Sequence, residues 1–227
     1  MNTFADKPLP QKYIANTNTF FQKKADNDTY FFEKRPVSKM ENVMIQKKGD
    51  LDEPEHLYAW NQTYGLVDKK DYQGAIDFLK RYYKIGGGDY ILIAVKMKDK
   101  GDHAETNWPL HYNKPVVEIN TDYIEERYAK GRGGFAKVVS TLNHEYVHVG
   151  QLYKNKEFKK EDLEEFVAYS EEILHNHSIG PDLVGEELRT TYEKAVDRFL
   201  AMKIADRNKY LGRFNDMKDR YDWLRKR

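Results

Sequence analysis

The segment from Gly134 to Tyr153 constrains the fold most strongly, because its apolar residues recur with the period of an α-helix. At about 100° per residue they fall on one narrow stripe. The stripe consists of Val138, Val139, Leu142, Tyr146, Val149 and Tyr153. His144 and His148 lie on the opposite side. We predict a helix that packs through the stripe and turns both histidines toward solvent or into the wall of a cleft. The upstream glycines Gly131, Gly133 and Gly134 indicate a flexible lead-in.

The two histidines enclose Glu145 in the pattern His-Glu-x-x-His. A helix places residues i and i+4 on one face, so two imidazoles can bind one zinc ion. Glu145 would then lie where its carboxylate can take a proton from a water on the metal. We predict that His144 and His148 bind Zn²⁺ and that Glu145 is the catalytic base. The alternative is a pair of solvated surface histidines.

A catalytic zinc ion takes three protein ligands and keeps one position open, so a third donor is required. Lys154 stands where a third histidine would complete one common pattern, and the chain contains no cysteine. The carboxylate-rich segment 161–174 remains, and its apolar period predicts a second helix. Its packing stripe consists of Leu163, Phe166, Val167, Ser170, Ile173 and Leu174. The other face carries Glu161, Glu165, Ala168 and Glu172.

Glu165 is followed three positions later by the small residue Ala168. This spacing resembles the second motif of gluzincin metallopeptidases, and the resemblance implies that Glu165 is the third zinc ligand. The pattern departs at Tyr169, where many gluzincins have an Asp that orients a ligand histidine. Glu172 or Asp162 is the substitute expected for that role. Two alternatives stay open, namely that Glu165 is the reciprocal partner of an Asp162 N-cap and that another carboxylate, such as Glu164, is the ligand.

A wider resemblance rests on His-Glu-Tyr-x-His followed by Gln151, and on Glu165-Phe166-x-Ala168-Tyr169. This combination is similar to the metallopeptidase domains of bacterial polymorphic toxins and secreted effectors. It implies hydrolysis of peptide bonds by a Glu-activated, zinc-bound water, a peptide or protein substrate, and a cognate inhibitor or immunity protein as a partner. It also implies an oxyanion donor. The candidates for that donor are Tyr169, His175, His177 and Tyr192.

Two alternatives to an enzyme stay open. The chain could be a noncatalytic binding or inhibitory module that retains a zincin fold, or a helical interaction protein with an accidental motif. Metal content and the effect of Glu145→Gln distinguish the three functions.

The rest of the chain predicts an α+β fold that is mostly helical, with a small mixed sheet beside the active-site helix and a helical C-terminal part. The motif resemblance implies that this fold is zincin-like. We expect an extended arm over residues 1–50, a metallopeptidase core over 51–180 and a C-terminal helical segment over 181–227. The core includes two helices between Glu55 and Lys84 and strands at Tyr90–Val95 and Pro115–Asn120. The zincin resemblance implies that the second strand is an edge strand that pairs with substrate; an ordinary internal strand is the alternative.

Composition excludes some partners. The 38 basic and 37 acidic residues give a net charge of +1, so we expect no nucleic-acid partner. No apolar run approaches the length of a membrane span, and the first residues lack a general secretory signal. We expect a soluble chain without a membrane span, for which export by a specialised secretion system stays open.

Overall fold

The structure is a computed structural model that describes residues 50–98, 103–155 and 161–227. The described chain is mostly helical with a small mixed sheet, which confirms an α+β fold. The elements are α1 (Pro54–Asp68), α2 (Tyr72–Tyr82), β1 (Ile91–Val95), β2 (Ala104–Asn107), β3 (Val116–Asn120), α3 (Thr121–Ala129), α4 (Arg132–Lys154), α5 (Asp162–Leu174), α6 (Asn176–Ile179), α7 (Gly185–Ala201) and α8 (Ile204–Leu224). The expected arm over residues 1–50 lies outside the described residues, apart from Asp50.

Local signals explain several helix starts. Helix α1 begins with Pro54, whose fixed φ suits the first helical position. The side chains of Asp71 and Asn120 accept hydrogen bonds from backbone amides in the first turns of α2 and α3. The helices predicted between Glu55 and Lys84 are therefore confirmed as α1 and α2.

The sheet of the described chain has the strand order β1-β3-β2. β1 runs parallel to β3 and β2 runs antiparallel to it. Of the two alternatives for Pro115–Asn120, the internal strand is confirmed and the edge strand is wrong, because β3 is central and its residues are mostly buried. The strand with a single neighbour beside α4 is β2, which the sequence analysis did not predict.

A first apolar cluster joins α1, α2, α3, β3 and one face of α4. From α4 it takes Phe135, Val138, Val139, Leu142 and Val149. Helix α4 approaches α3 closely at Gly134, where an added Cβ would lie 1.8 Å from the backbone oxygen of Arg127. Gly133 and Gly134 lie inside α4, so the expected flexible lead-in is wrong there, and Gly134 serves close packing instead. Gly131, just before the helix, adopts a φ of 74°, which favours glycine.

A second apolar cluster joins α5, α7 and α8. Its buried members include Phe166, Ile173, Phe199 and Met217. Val147 of α4 packs against it, so α4 lies between the two clusters. The helical C-terminal part is confirmed, while the division at residue 180 stays a prediction. No helix within the described ranges is both long and apolar enough to cross a membrane.

Candidate metal centre

Helix α4 carries the two motif histidines on the face that meets α5. His144 and His148 are 6% and 0% exposed, so the alternative of two solvated surface histidines is wrong. The physical reason is that α5, which packs with α7, covers this side of α4. The helix is therefore buried on two sides, one apolar and one polar.

Helix α5 brings the carboxylate of Glu165 to the histidines. The Nε2 atoms of His144 and His148 lie 3.1 Å apart. His144 Nε2 lies 3.6 Å from Glu165 Oε2, and His148 Nε2 lies 3.5 Å from Glu165 Oε1. These residues form a buried group that could hold a metal ion.

The spacing of these donor atoms can be compared with that of a tetrahedral metal site. With metal–ligand bonds of about 2.0–2.2 Å and tetrahedral angles, neighbouring ligand atoms lie about 3.3–3.6 Å apart. The two Nε2 atoms are slightly closer than this, at 3.1 Å, and their 3.6 and 3.5 Å separations from the carboxylate run to its two different oxygens, Oε2 and Oε1. The group contains three donors among the residues that the structure describes, which leaves a fourth tetrahedral position for another ligand.

Hydrogen bonds on the far side of each ring set the tautomers that metal binding requires. His144 Nδ1 lies 2.8 Å from Glu172 Oε1, an acceptor, so Nδ1 carries the proton. His148 Nδ1 lies 2.6 Å from Gln151 Oε1. The side-chain nitrogen of Gln151 donates to the backbone oxygen of Glu164, which leaves Oε1 as the acceptor for His148. When both rings are neutral, both Nε2 lone pairs therefore face each other and Glu165.

Glu172 is the centre of a buried network behind His144. Lys137 Nζ donates to Glu172 Oε2 at 2.6 Å, and Ser140 donates to the same oxygen. Burial opposes the charge on Glu172, but Lys137 and His144 outweigh it and lower the pKa of the carboxyl to about 2. Lys137 is held in turn by Thr191 of α7 at 2.9 Å. Of the two substitutes expected for the orienting role, Glu172 contacts His144, whereas Asp162 pairs with Arg198 at 3.0 Å.

The electrostatics of the donor group favour a positive charge. Burial alone would lower the pKa of His144, but the carboxylates of Glu165 and Glu172 raise it to about 9. Burial likewise opposes ionisation of Glu165, yet the two imidazoles hold the pKa of its carboxyl well below the usual range. A bound cation would supply the positive charge that these carboxylates favour.

Glu145 lies on the side of α4 that faces β2. Thr106 Oγ1 donates to Glu145 Oε2 at 2.6 Å and lies 3.3 Å from the backbone oxygen of Glu145. Both residues are buried. The predicted base is thus fixed in orientation by the edge strand β2.

The remaining predicted residues lie at different distances from the donors. The Tyr169 ring centroid is 4.6 Å from that of His144, and burial together with nearby Glu172 and Glu165 raises the pKa of Tyr169. His175 pairs with Glu171 at 2.8 Å, and Tyr192 stacks on Tyr221. The side chain of His177 lies outside the described part of the chain.

The alternatives for Glu165 are not met. Helix α5 begins at Asp162 itself, and the preceding residue makes no side-chain cap, so the proposed capping pair is wrong. Glu164 is not part of the donor group, and burial raises the pKa of its carboxyl.

Sequence reasoning missed four polar partners. Lys137 and Ser140 precede His144 by seven and four positions, and Gln151 follows His148 by three, so helical spacing could have identified them. Thr106 carries no such local signal, because its contact with Glu145 joins two distant segments. Comparisons with known protein families, curated proteins and solved structures found no match.

Proposed function

We propose that this chain is a zinc-dependent metallopeptidase that hydrolyses peptide bonds. The observation that carries the proposal is the buried triangle of two Nε2 atoms and one carboxylate, with spacings that suit zinc. His144, His148 and Glu165 would hold the ion. A structural zinc site takes four protein ligands, whereas a group of three leaves room for a water or substrate oxygen.

A bound zinc ion supplies Lewis acidity, which polarises a carbonyl group and eases deprotonation of water. Glu145 accepts the proton of the attacking water on its carboxylate and then delivers it to the leaving amine. The hydrogen bond from Thr106 keeps that carboxylate in one orientation. Glu172 and Gln151 hold the Nδ1 protons of the two histidines and thereby direct the Nε2 atoms inward.

The strand β2 is the best candidate to align a substrate. It has a single neighbour in the described sheet, and its Thr106 contacts Glu145. An extended peptide that adds to this edge would pass beside the proposed base. The substrate-pairing role expected for Pro115–Asn120 is therefore reassigned to β2.

The test combines metal content with cleavage. Purified wild-type protein should contain about one zinc per chain and cleave casein or a quenched peptide library, and Glu145→Gln should keep the metal and lose the activity. Glu105→Gln is the matched control, because Glu105 is an exposed neighbour of Thr106 in the same strand, and it should retain activity. Zinc without cleavage in the wild type would support the noncatalytic module instead. Protein that binds no zinc would contradict both.

A role as a bacterial effector or toxin, which the motif resemblance implies, stays a prediction.

A further inference from the structure

The connection from β2 to β3 presents an apolar surface next to the candidate site. We call this surface the Trp108 platform; it consists of Trp108, Leu110, Tyr112 and Tyr153. Leu110 is fully exposed and Tyr153 is 49% exposed. The Trp108 and Tyr153 rings meet edge to face at 5.0 Å, so the connection and the end of α4 form one surface.

The platform is held in place by hydrogen bonds despite its exposure. The Tyr112 amide donates to the Pro109 oxygen at 2.9 Å and closes a turn. Trp108 Nε1 donates to the Tyr112 oxygen at 3.1 Å, and the Tyr153 hydroxyl donates to the Asp89 oxygen at 2.6 Å. Aromatic rings that are already fixed lose little conformational entropy when a ligand covers them. An ordered apolar surface of this kind is suited to binding.

The platform continues the line of the candidate site. Trp108 follows Thr106 by two residues and comes directly after β2, which ends at Asn107. Thr106 contacts Glu145 of α4, and Trp108 contacts Tyr153 of the same helix. At about 3.4 Å per strand residue, the platform begins about 7 Å from the position of Thr106.

We propose that the Trp108 platform is a substrate subsite for an apolar or aromatic side chain. This inference rests on the proposed function and names the class of peptide that the site would prefer. An extended peptide beside β2 advances by the same rise per residue as the strand. The side chain that covers the platform therefore belongs to a residue about two positions from the one opposite Thr106. Burial of such a side chain favours binding by a factor of about 10–100.

The first experiment measures selectivity. A positional library of quenched decapeptides is cleaved by wild type and by Trp108→Ala. We expect a preference of about tenfold or more for Phe or Leu over Gly at one position, which Trp108→Ala removes while the preferences at other positions persist. Tyr58→Ala is the matched control, because Tyr58 is an exposed aromatic residue of α1 at 51% exposure. Leu110→Asp serves as a second variant, since a fully exposed side chain can change without disturbing the fold, and it should weaken the same preference.

The second experiment measures binding without turnover. Zinc-loaded Glu145→Gln protein is titrated with fluorescein-labelled decapeptides in which Gly alternates with Leu or with Ser, so that registers that differ by two residues present the same side chain to the platform. The subsite is supported if the Leu peptide binds about tenfold more tightly than the Ser peptide. This difference should be lost when Trp108→Ala is added and kept when Tyr58→Ala is added. Equal binding with and without Trp108 overturns it.

The two proposals fail in different ways. Cleavage by the wild type with selectivity that ignores Trp108 overturns the subsite and leaves the peptidase intact. Binding that depends on Trp108, in a protein that cleaves no peptide, overturns the peptidase and leaves the platform as a peptide-binding surface. Absence of both cleavage and Leu-peptide binding overturns both.

Discussion

The two buried sides of α4 are held by opposite kinds of contact. Toward the first apolar cluster the helix presents side chains such as Val139 and Leu142, which burial stabilises by about 25 cal/mol per Å² of apolar surface. Toward α5 it presents Lys137, Ser140 and His144, each of which has a polar partner. A charge removed from water costs several kcal/mol unless it is paired.

Two faces of a helix that are equally buried can therefore differ in how well they tolerate substitutions. An apolar face loses stability in proportion to the volume removed, because its contacts are many and weak. A polar face depends on complete pairing, since one missing partner leaves a buried group unsatisfied. The four changes below act on one face at a time, or on the proton equilibrium of the polar face.

Glu165→Ala tests the polar face at its donor group and should have the largest effect. Loss of a supporting residue typically lowers zinc affinity by about 10–100-fold. We expect a larger fall for Glu165→Ala, because a metal ligand itself is removed. Competition with a chelating dye measures the affinity. Glu164→Ala is the matched control and should keep zinc binding. If Glu164→Ala loses zinc and Glu165→Ala retains it, the third donor is assigned to the wrong residue.

Leu142→Ala tests the apolar face. The side chain is fully buried in the first cluster, so we expect the free energy of unfolding to fall by about 3 kcal/mol, with zinc stoichiometry unchanged. Urea denaturation of the metal-free protein measures the loss. Leu200→Ala, at a position that is 58% exposed, should stay within about 0.5 kcal/mol of wild type. A similar loss for both variants would mean that Leu142 is not a core residue.

Glu172→Gln tests the support behind His144. The substitution keeps the size of the side chain but removes its negative charge. That charge pairs with Lys137 and strengthens the hydrogen bond from His144. We expect zinc affinity to fall by about 10–100-fold. Glu171→Gln is the control, since Glu171 is buried in the same helix but pairs with Arg213 and His175. Unchanged affinity in Glu172→Gln would remove Glu172 from the metal centre.

The pH dependence of zinc binding tests the proton that the polar face retains. His144 has a pKa of about 9 in the metal-free protein, so the ion must displace a proton from this ring at neutral pH. Below that pKa, affinity should therefore rise with pH by about tenfold per unit, and Glu165 stays ionised throughout this range. Titrations between pH 6.5 and 8, where the slope is read directly, measure the effect. A flat profile would contradict the raised pKa.

The sequence predicts α4 and α5 because each carries an apolar stripe over several turns. The convergence of His144, His148 and Glu165 follows from that periodicity together with the motif resemblance, since residues on one face of a helix must meet whatever packs there. The burial of this face could not be predicted in the same way. Polar side chains that pair across two helices produce no apolar periodicity in the sequence. The sequence pattern of this face of α4 is therefore the same as that of a solvated face.

The edge strand was missed for a different reason. Ala104–Asn107 has four residues without an apolar run, whereas 115–120 has the β-branched pattern typical of a strand. The stronger pattern belongs to the more buried strand β3, which lies at the centre of the sheet and not at its edge. The contacts of Thr106 and Trp108 depend on tertiary packing and cannot be derived from local pattern.

The position of the donors between the two apolar clusters has a thermodynamic consequence. His144 and His148 belong to a helix anchored in the first cluster, and Glu165 to a helix anchored in the second. An ion bound by all three residues would be released when the two helices separate. Binding of the ion would therefore stabilise the packed arrangement of α4 and α5. At a free ion concentration of one hundred times Kd this linkage amounts to about 2.7 kcal/mol. If the site binds a metal ion, a higher concentration of that ion would thus raise the free energy of unfolding.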